Sequence, residues 1–142
     1  RCGKWSMDVS DIAKVFTQFD GALDRLGDVL REDVGANGAF LDASVKRFEF
    51  CFELCWKVLK RSLEVEGIGV GSPREAFRQA FKLGWLPEGD DFWSRMIDDR
   101  NRTSHTYNIA TANEVYAALP GYLGAYRGLV ASLRSRFGVS LS

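Results

Sequence analysis

The feature that most constrains this chain is a helical period of apolar residues that continues without interruption through residues 39–66. Large apolar side chains recur there at steps of three and four, at Leu41, Val45, Phe48, Phe52, Cys55, Leu59 and Leu63. This spacing places them on one face of a helix. Residues 48–56 also alternate apolar residues with others, as a strand does, but strands rarely run as long as this segment. We therefore predict a helix, and a second apolar stripe at Phe50, Leu54 and Val58 predicts burial on most of its sides.

Other helices are predicted before and after this segment. Residues 8–33 carry apolar side chains at the same steps of three and four, which predicts an amphipathic helix. Ser72 and Glu75 form a capping box, and Pro73 suits the first helical position. These three residues predict the start of a short helix, which should end at Gly84.

The C-terminal part of the sequence predicts two more helices. One begins near Asp90, and the other opens at a second capping box formed by Thr111 and Glu114. A kink is expected where Pro120 and Gly121 interrupt the last helix. Because no segment predicts a sheet, the fold class is predicted to be all-α, an up-and-down four-helix bundle with an additional short helix.

The chain has 142 residues, a length that suits one domain, so residues 1–142 are predicted to form a single helical bundle domain. Met7 is a candidate native start, and residues 1–7 are expected to be disordered or foreign to the natural protein. The predicted core includes the regularly spaced side chains of the two long helices, namely Phe48, Phe52, Cys55, Leu59, Leu119, Tyr122 and Leu129.

Charge and cysteine content restrict the function classes. Lys and Arg together number 19, as do Asp and Glu, so no field that favours nucleic acid covers the whole surface. No apolar run reaches the roughly 18 residues needed to span a membrane. Cys51 and Cys55 are interpreted as small buried side chains in a reducing cytosol, and a zinc site is not expected because about four ligands would be needed. A cytoplasmic protein without cofactor or metal is expected.

One polar segment, residues 100–107, holds the only histidine of the chain. Its candidate functional side chains are Arg100, Asn101, Arg102, Ser104, His105 and Tyr107. Metal-independent RNA cleavage needs a base for the ribose 2′-hydroxyl, a cation for the phosphorane and an acid for the leaving oxygen. Histidine titrates in the useful range, and the arginine fork matches phosphate oxygens. Asn101 could orient the phosphate or bind the imidazole.

Helix geometry limits how these residues can cooperate. At about 100° per residue, Arg100 and His105 lie roughly 140° apart around a regular helix, whereas Asn101 and His105 share a face. A single regular helix therefore does not direct the arginine and the histidine at one atom. Either the helix breaks near Thr103 and Ser104, or two copies of the chain combine their residues across a two-fold axis.

A purely structural interpretation of the same residues is also open. Arg100 would then pair with a neighbouring acid, Asp98 or Asp99, and His105 would cap a helix end. The two aspartates themselves are interpreted as a solvated helix end and not as a metal site.

Glu49 and Glu53 form a second candidate site, since they stand four residues apart on one helix face. Glu53 also precedes Lys57 by four residues, a spacing that favours a surface ion pair. The functional alternative is a carboxylate base or a cation-binding edge. The aromatic neighbours Phe50 and Trp56 are expected in the core and not as platforms for base stacking.

Three stretches of the chain together resemble HepT-like proteins of the HEPN superfamily, also described as nucleotidyltransferase substrate-binding proteins. They are residues 46–60, 72–81 and 98–107, and they occur in the family's order. The Arg-x4-His-x-Tyr motif of the superfamily is met in full by Arg100, His105 and Tyr107. Asn101 matches the polar residue that tends to follow the arginine.

The resemblance implies a four-helix bundle, a homodimer and a two-gene module with a minimal nucleotidyltransferase. Some members are described as metal-independent ribonuclease toxins, and RNA is then the expected substrate. In those members the nucleotidyltransferase is the antitoxin and adds AMP to the tyrosine of the motif, here Tyr107. Other descriptions treat the helical protein as a non-catalytic substrate-binding subunit, in which Glu49 and Glu53 would serve the substrate of the partner enzyme. Both interpretations stay open.

Overall fold

Five helices make up the described part of the chain, which is residues 9–31, 38–105 and 108–138 of a computed structural model. They are α1 (Val9–Leu30), α2 (Gly38–Val65), α3 (Pro73–Lys82), α4 (Asp90–His105) and α5 (Ile109–Phe137). No strand occurs in these residues. The predicted all-α bundle of four long helices and one short helix is therefore confirmed.

Helix α2 lies at the centre of the bundle, because it contacts each of the other four helices. Helices α1 and α5 pack on it and on each other, while α3 and α4 cover another side, and α1 touches neither α3 nor α4. All seven predicted core side chains are at most 1% exposed. Aromatic rings connect the helices, with Phe48 of α2 stacked on Tyr122 of α5 at 5.5 Å between ring centroids.

The prediction that α2 is buried on most sides is wrong at one residue. Leu54 and Val58 of the second stripe are buried, but Phe50 is 53% exposed. Trp56 is partly buried and packs against the core. A large apolar side chain on the surface is thus found on the same helix as Glu49 and Glu53.

The capping residues explain where α3 and α5 begin. The Ser72 side chain accepts a hydrogen bond from the Glu75 amide, and the Glu75 carboxylate accepts one from the amide of Gly71, so the predicted start of α3 is confirmed. The predicted start of α5 at Thr111 is wrong. Asn108 caps this helix instead, because its side chain accepts a hydrogen bond from the Thr111 amide at 2.9 Å.

Helix α5 continues through Pro120, and the expected kink at that residue stays a prediction. None of the described helices is both long enough and apolar enough to cross a membrane.

Cys51 and Cys55 are buried free thiols, as interpreted from the sequence. Burial raises the pKa of Cys51 to about 12. Residues 1–7, Met7 and Cys2 included, lie outside the described residues.

Candidate functional site

A buried carboxylate fixes the second half of α4, which carries the candidate residues. Asp99 is only 7% exposed and accepts a hydrogen bond from the Tyr122 hydroxyl of α5. It also pairs with Arg102 at 3.0 Å, and Arg102 reaches Glu114 of α5 at 2.7 Å. The interpretation of Asp98 and Asp99 as a solvated helix end is therefore wrong for Asp99, which holds α4 against α5.

Arg100 points to the other side of α4, towards α2. Its Nη2 donates to the Oε2 of Glu53 at 2.6 Å, and its guanidinium lies 5.6 Å from the centroid of the Phe52 ring. The alternative pairing of Arg100 with Asp98 or Asp99 does not occur, and the expected pair of Glu53 with Lys57 is wrong because Glu53 pairs with Arg100. The Arg100 side chain remains 29% exposed.

Thr103 connects the same two helices one turn further along α4. Its hydroxyl donates to the Oε2 of Glu49 at 2.6 Å and lies 2.9 Å from the carbonyl oxygen of Arg100. Glu49 and Glu53, which the sequence analysis singled out together, thus both bind side chains of α4 and connect α2 to that helix. Glu49 also lies 3.6 Å from the exposed amine of Lys46.

A groove of about 510 Å³ lies between the start of α2 and the end of α4. Its lining residues are Asp42, Val45, Lys46, Glu49, Thr103 and Ser104. Two of the predicted site residues, Glu49 and Ser104, therefore line this groove. Carboxylates outnumber cations in the lining, so the groove itself does not favour an anionic ligand.

His105 is the last residue of α4 and is exposed, as is Asn101 one turn earlier. Because α4 stays helical through Thr103 and Ser104, the helix break considered from the sequence does not occur. Arg100 and His105 therefore keep their separation of roughly 140° around the helix. One copy of the chain does not bring the two side chains to one point. Tyr107 lies outside the described residues.

Sequence reasoning did not find Thr103 or the bond between Asp99 and Tyr122. One signal was present, because a tyrosine predicted in the core needs a partner for its hydroxyl. Nothing in the sequence indicated which acid that would be, since Asp99 and Tyr122 are 23 residues apart. No group of three or more potential metal ligands occurs among the residues that the structure describes.

The five-helix bundle carries an Arg-x4-His motif at the exposed C-terminal end of α4. The chain belongs to the family described as nucleotidyltransferase substrate binding protein like, whose model matches residues 14–135. A Haemophilus influenzae protein named probable ribonuclease HepT is 33% identical to it over 98 residues. That match covers 66% of each chain, so the present chain spans just under two thirds of this relative's length.

Two solved structures share the fold. A Thermus thermophilus protein is 33% identical, with a TM-score of 0.75 over 82% of this chain and 98% of its own. A second structure, from Haemophilus influenzae, has a TM-score of 0.62 at 24% identity and covers 89% of this chain and 99% of its own. It is described as revealing the fold of a substrate-binding domain of a nucleotidyltransferase.

The hydrogen bond between Tyr122 and Asp99 leads to a stability prediction. The change Tyr122→Phe removes one donor from a buried carboxylate, which should cost about 1–3 kcal/mol of the free energy of unfolding. Urea unfolding at pH 7 measures this cost. Tyr116→Phe is the control, because Tyr116 lies on the same helix and makes no hydrogen bond within the described residues.

The same variant should change how stability depends on pH. Burial, followed by the bond to Asp99, raises the pKa of Tyr122 well above its ordinary value. The folded state therefore favours the neutral phenol. Its contribution to the free energy of unfolding is complete below about pH 10, the pKa of tyrosine in the unfolded chain, and is lost as the pH rises further. Tyr122→Phe should therefore lose stability less steeply than the wild type above pH 10. Equal slopes would contradict this assignment.

Proposed function

We propose that this chain is a metal-independent endoribonuclease of the HepT kind, which acts as the toxin of a two-gene module. The observation that carries the proposal is the position of Arg100 and His105 on one regular helix whose C-terminal end is exposed. The similarity to a protein named probable ribonuclease HepT supports it. The proposed location is the cytoplasm, where RNA and ATP are available.

In this proposal His105 is the general base that takes the proton of the ribose 2′-hydroxyl. The 2′-oxygen then forms a bond to phosphorus, and the bond from phosphorus to the 5′-oxygen breaks as the proton taken by His105 passes, through water, to that oxygen. A guanidinium stabilises the additional negative charge on the phosphorane. Asn101 lies one turn from His105 on the same exposed face, where it can bind the phosphate or the imidazole.

Arg100 requires a second copy of the chain in this mechanism. It lies on the α2 side of α4, where Glu53 and the Phe52 ring hold its guanidinium, while His105 lies roughly 140° away around the helix. We therefore propose a symmetric homodimer in which Arg100 of one copy acts beside His105 of the other. The exposed Phe50 lies on the same helix as Glu53 and offers apolar surface for such an interface.

The remaining site residues take supporting roles. Arg102 is held by Asp99 and Glu114, so we assign it to positioning α4 and not to direct RNA contact. Ser104 is exposed and directly precedes His105, so it is the better candidate for contact with the RNA strand.

A second candidate function is that of a non-catalytic substrate-binding subunit of a nucleotidyltransferase. The groove lined by Asp42 and Glu49 favours it, because its carboxylates suit a cationic ligand. Glu49 and Glu53 would then be the substrate-binding residues. A chain that binds a nucleotidyltransferase but never cuts RNA would support this function instead.

His105→Ala and Arg100→Ala should both abolish RNA cleavage. A positioned base contributes about 10²–10⁴-fold, and a charge-stabilising donor about 10²–10³-fold. Cleavage of a labelled RNA measures both losses, and EDTA should leave the wild-type rate unchanged. Arg25→Ala on α1 is the control, because α1 does not touch α4. If the wild type cuts no RNA, the ribonuclease proposal fails.

Mixing the two inactive variants tests the shared site. In a dimer of Arg100→Ala with His105→Ala, one site carries both substitutions and the other site carries none. Half of the reassociated dimers are mixed, so on the order of one quarter of the wild-type activity should return. A site formed within one copy predicts no return of activity, and that result would contradict the shared dimeric site.

We further propose that a minimal nucleotidyltransferase partner inactivates the site by modifying Tyr107. The Tyr107 oxygen would attack the α-phosphorus of ATP, forming a phosphodiester and releasing pyrophosphate, with the phenol proton passing to a base. The added nucleotide carries negative charge and bulk, which repel RNA. Intact mass after incubation with the partner and ATP should increase by one AMP. A Tyr107→Phe variant that gains the same mass would identify another residue.

A further inference from the structure

A second cleft lies between α3 and α4, on the side of α4 that carries His105. It has a volume of about 160 Å³, and the buried side chains of Phe77, Trp93 and Ile97 line it. Its polar lining residues are Arg74, Arg78, Asp90 and Ser94. Both arginines belong to residues 72–81, one of the three stretches on which the family resemblance rests, and the proposed chemistry uses neither.

One stripe of α4 joins this cleft to the proposed catalytic residues. Ser94, Asp98, Asn101 and His105 are spaced by four, three and four residues, which places them within an arc of about 60°. Arg74 lies across the stripe, because its Nη1 is 3.1 Å from the Ser94 hydroxyl and its Nη2 is 2.9 Å from Asp98. Arg78 follows one turn later on α3.

Charge and exposure make the two arginines accessible to an anion. Arg78 is exposed and makes no ion pair within the described ranges. Arg74 does pair with Asp98, but the two side chains are 46% and 63% exposed, and such a pair stabilises little. Asp90 at the rim opposes an anion, so the cleft suits one phosphate and not a run of them.

We propose that Arg74 and Arg78 bind a backbone phosphate of the RNA strand that His105 cuts. This inference rests on the proposed ribonuclease function and identifies where its substrate continues beyond the cut. The rise of α4 from His105 to Asp98 and Ser94 is about 10.5 and 16.5 Å. A stacked strand rises about 3.4 Å per nucleotide, so the bound phosphate lies three to five nucleotides from the cut.

The arginine fork fits this ligand. A guanidinium donates two parallel hydrogen bonds to phosphate oxygens, and Arg74 already directs its two terminal nitrogens at two oxygen-bearing groups. The cleft reads no base edge by itself, so it should increase affinity without selecting sequence. The consequence is a substrate preference by length, since a trinucleotide bound at His105 does not reach Arg78.

Binding is measured in the His105→Ala background, so that RNA is not consumed. The double variant Arg74→Gln/Arg78→Gln is compared with the control Arg25→Gln on α1. Fluorescence anisotropy measures the affinity of each variant for a labelled 12-nucleotide single strand. The double variant should bind about three- to tenfold more weakly, and its slope of log affinity against log salt should decrease by about 0.7. Asp98→Asn, which frees Arg74, should bind more tightly. A trinucleotide should bind all variants equally.

The outcomes separate this inference from the ribonuclease proposal. If the double variant binds the 12-nucleotide strand as the Arg25→Gln control does, the cleft does not hold RNA, whether or not the wild type cuts. If ATP binding depends on the arginines and RNA binding does not, the phosphate belongs to a free nucleotide and the inference is overturned. If RNA binding depends on them while the wild type never cuts, the cleft stands and the ribonuclease proposal fails.

Discussion

The position of the candidate site depends on the buried carboxylate of Asp99. Burying a charge is unfavourable unless donors replace the lost water, and here Tyr122 and Arg102 supply them. Because Tyr122 belongs to α5, its bond to Asp99 fixes α4 in rotation as well as in position. That rotation directs Arg100 towards α2 and leaves His105 in solvent, so the core interaction determines what each motif residue can reach.

A second constraint is electrostatic. Arg100 is already paired with Glu53, so a phosphate that approaches it competes with a carboxylate at 2.6 Å. The pair is partly exposed, which keeps the competition small, and it also holds the flexible side chain in place before substrate arrives. With equal numbers of acidic and basic residues, the chain does not attract RNA as a whole. Affinity for the proposed RNA substrate must therefore come from a few local cations.

The sequence predicts the helices and the core well, because apolar periodicity reports which face of each helix is buried. It fails at Phe50, since periodicity does not say whether a second stripe meets a neighbouring helix or solvent. It also fails for the ion pairs. Local spacing suggested Lys57 for Glu53, whereas the observed partner, Arg100, is 47 residues away and is reached only through the packing of α4 on α2.

In the proposed ribonuclease, the regular geometry of α4 links catalysis to assembly. A helix broken after Arg100 would let one copy form the whole site, but the backbone stays helical to the motif histidine, and Thr103 and its bond to Glu49 hold this turn against α2. Each copy then carries Arg100 and His105 on different sides of α4, and neither side completes the proposed reaction alone. Activity of such an enzyme depends on the dimer population and therefore on concentration, because association supplies the missing residue. The fold itself would then keep a newly made, dilute chain inactive.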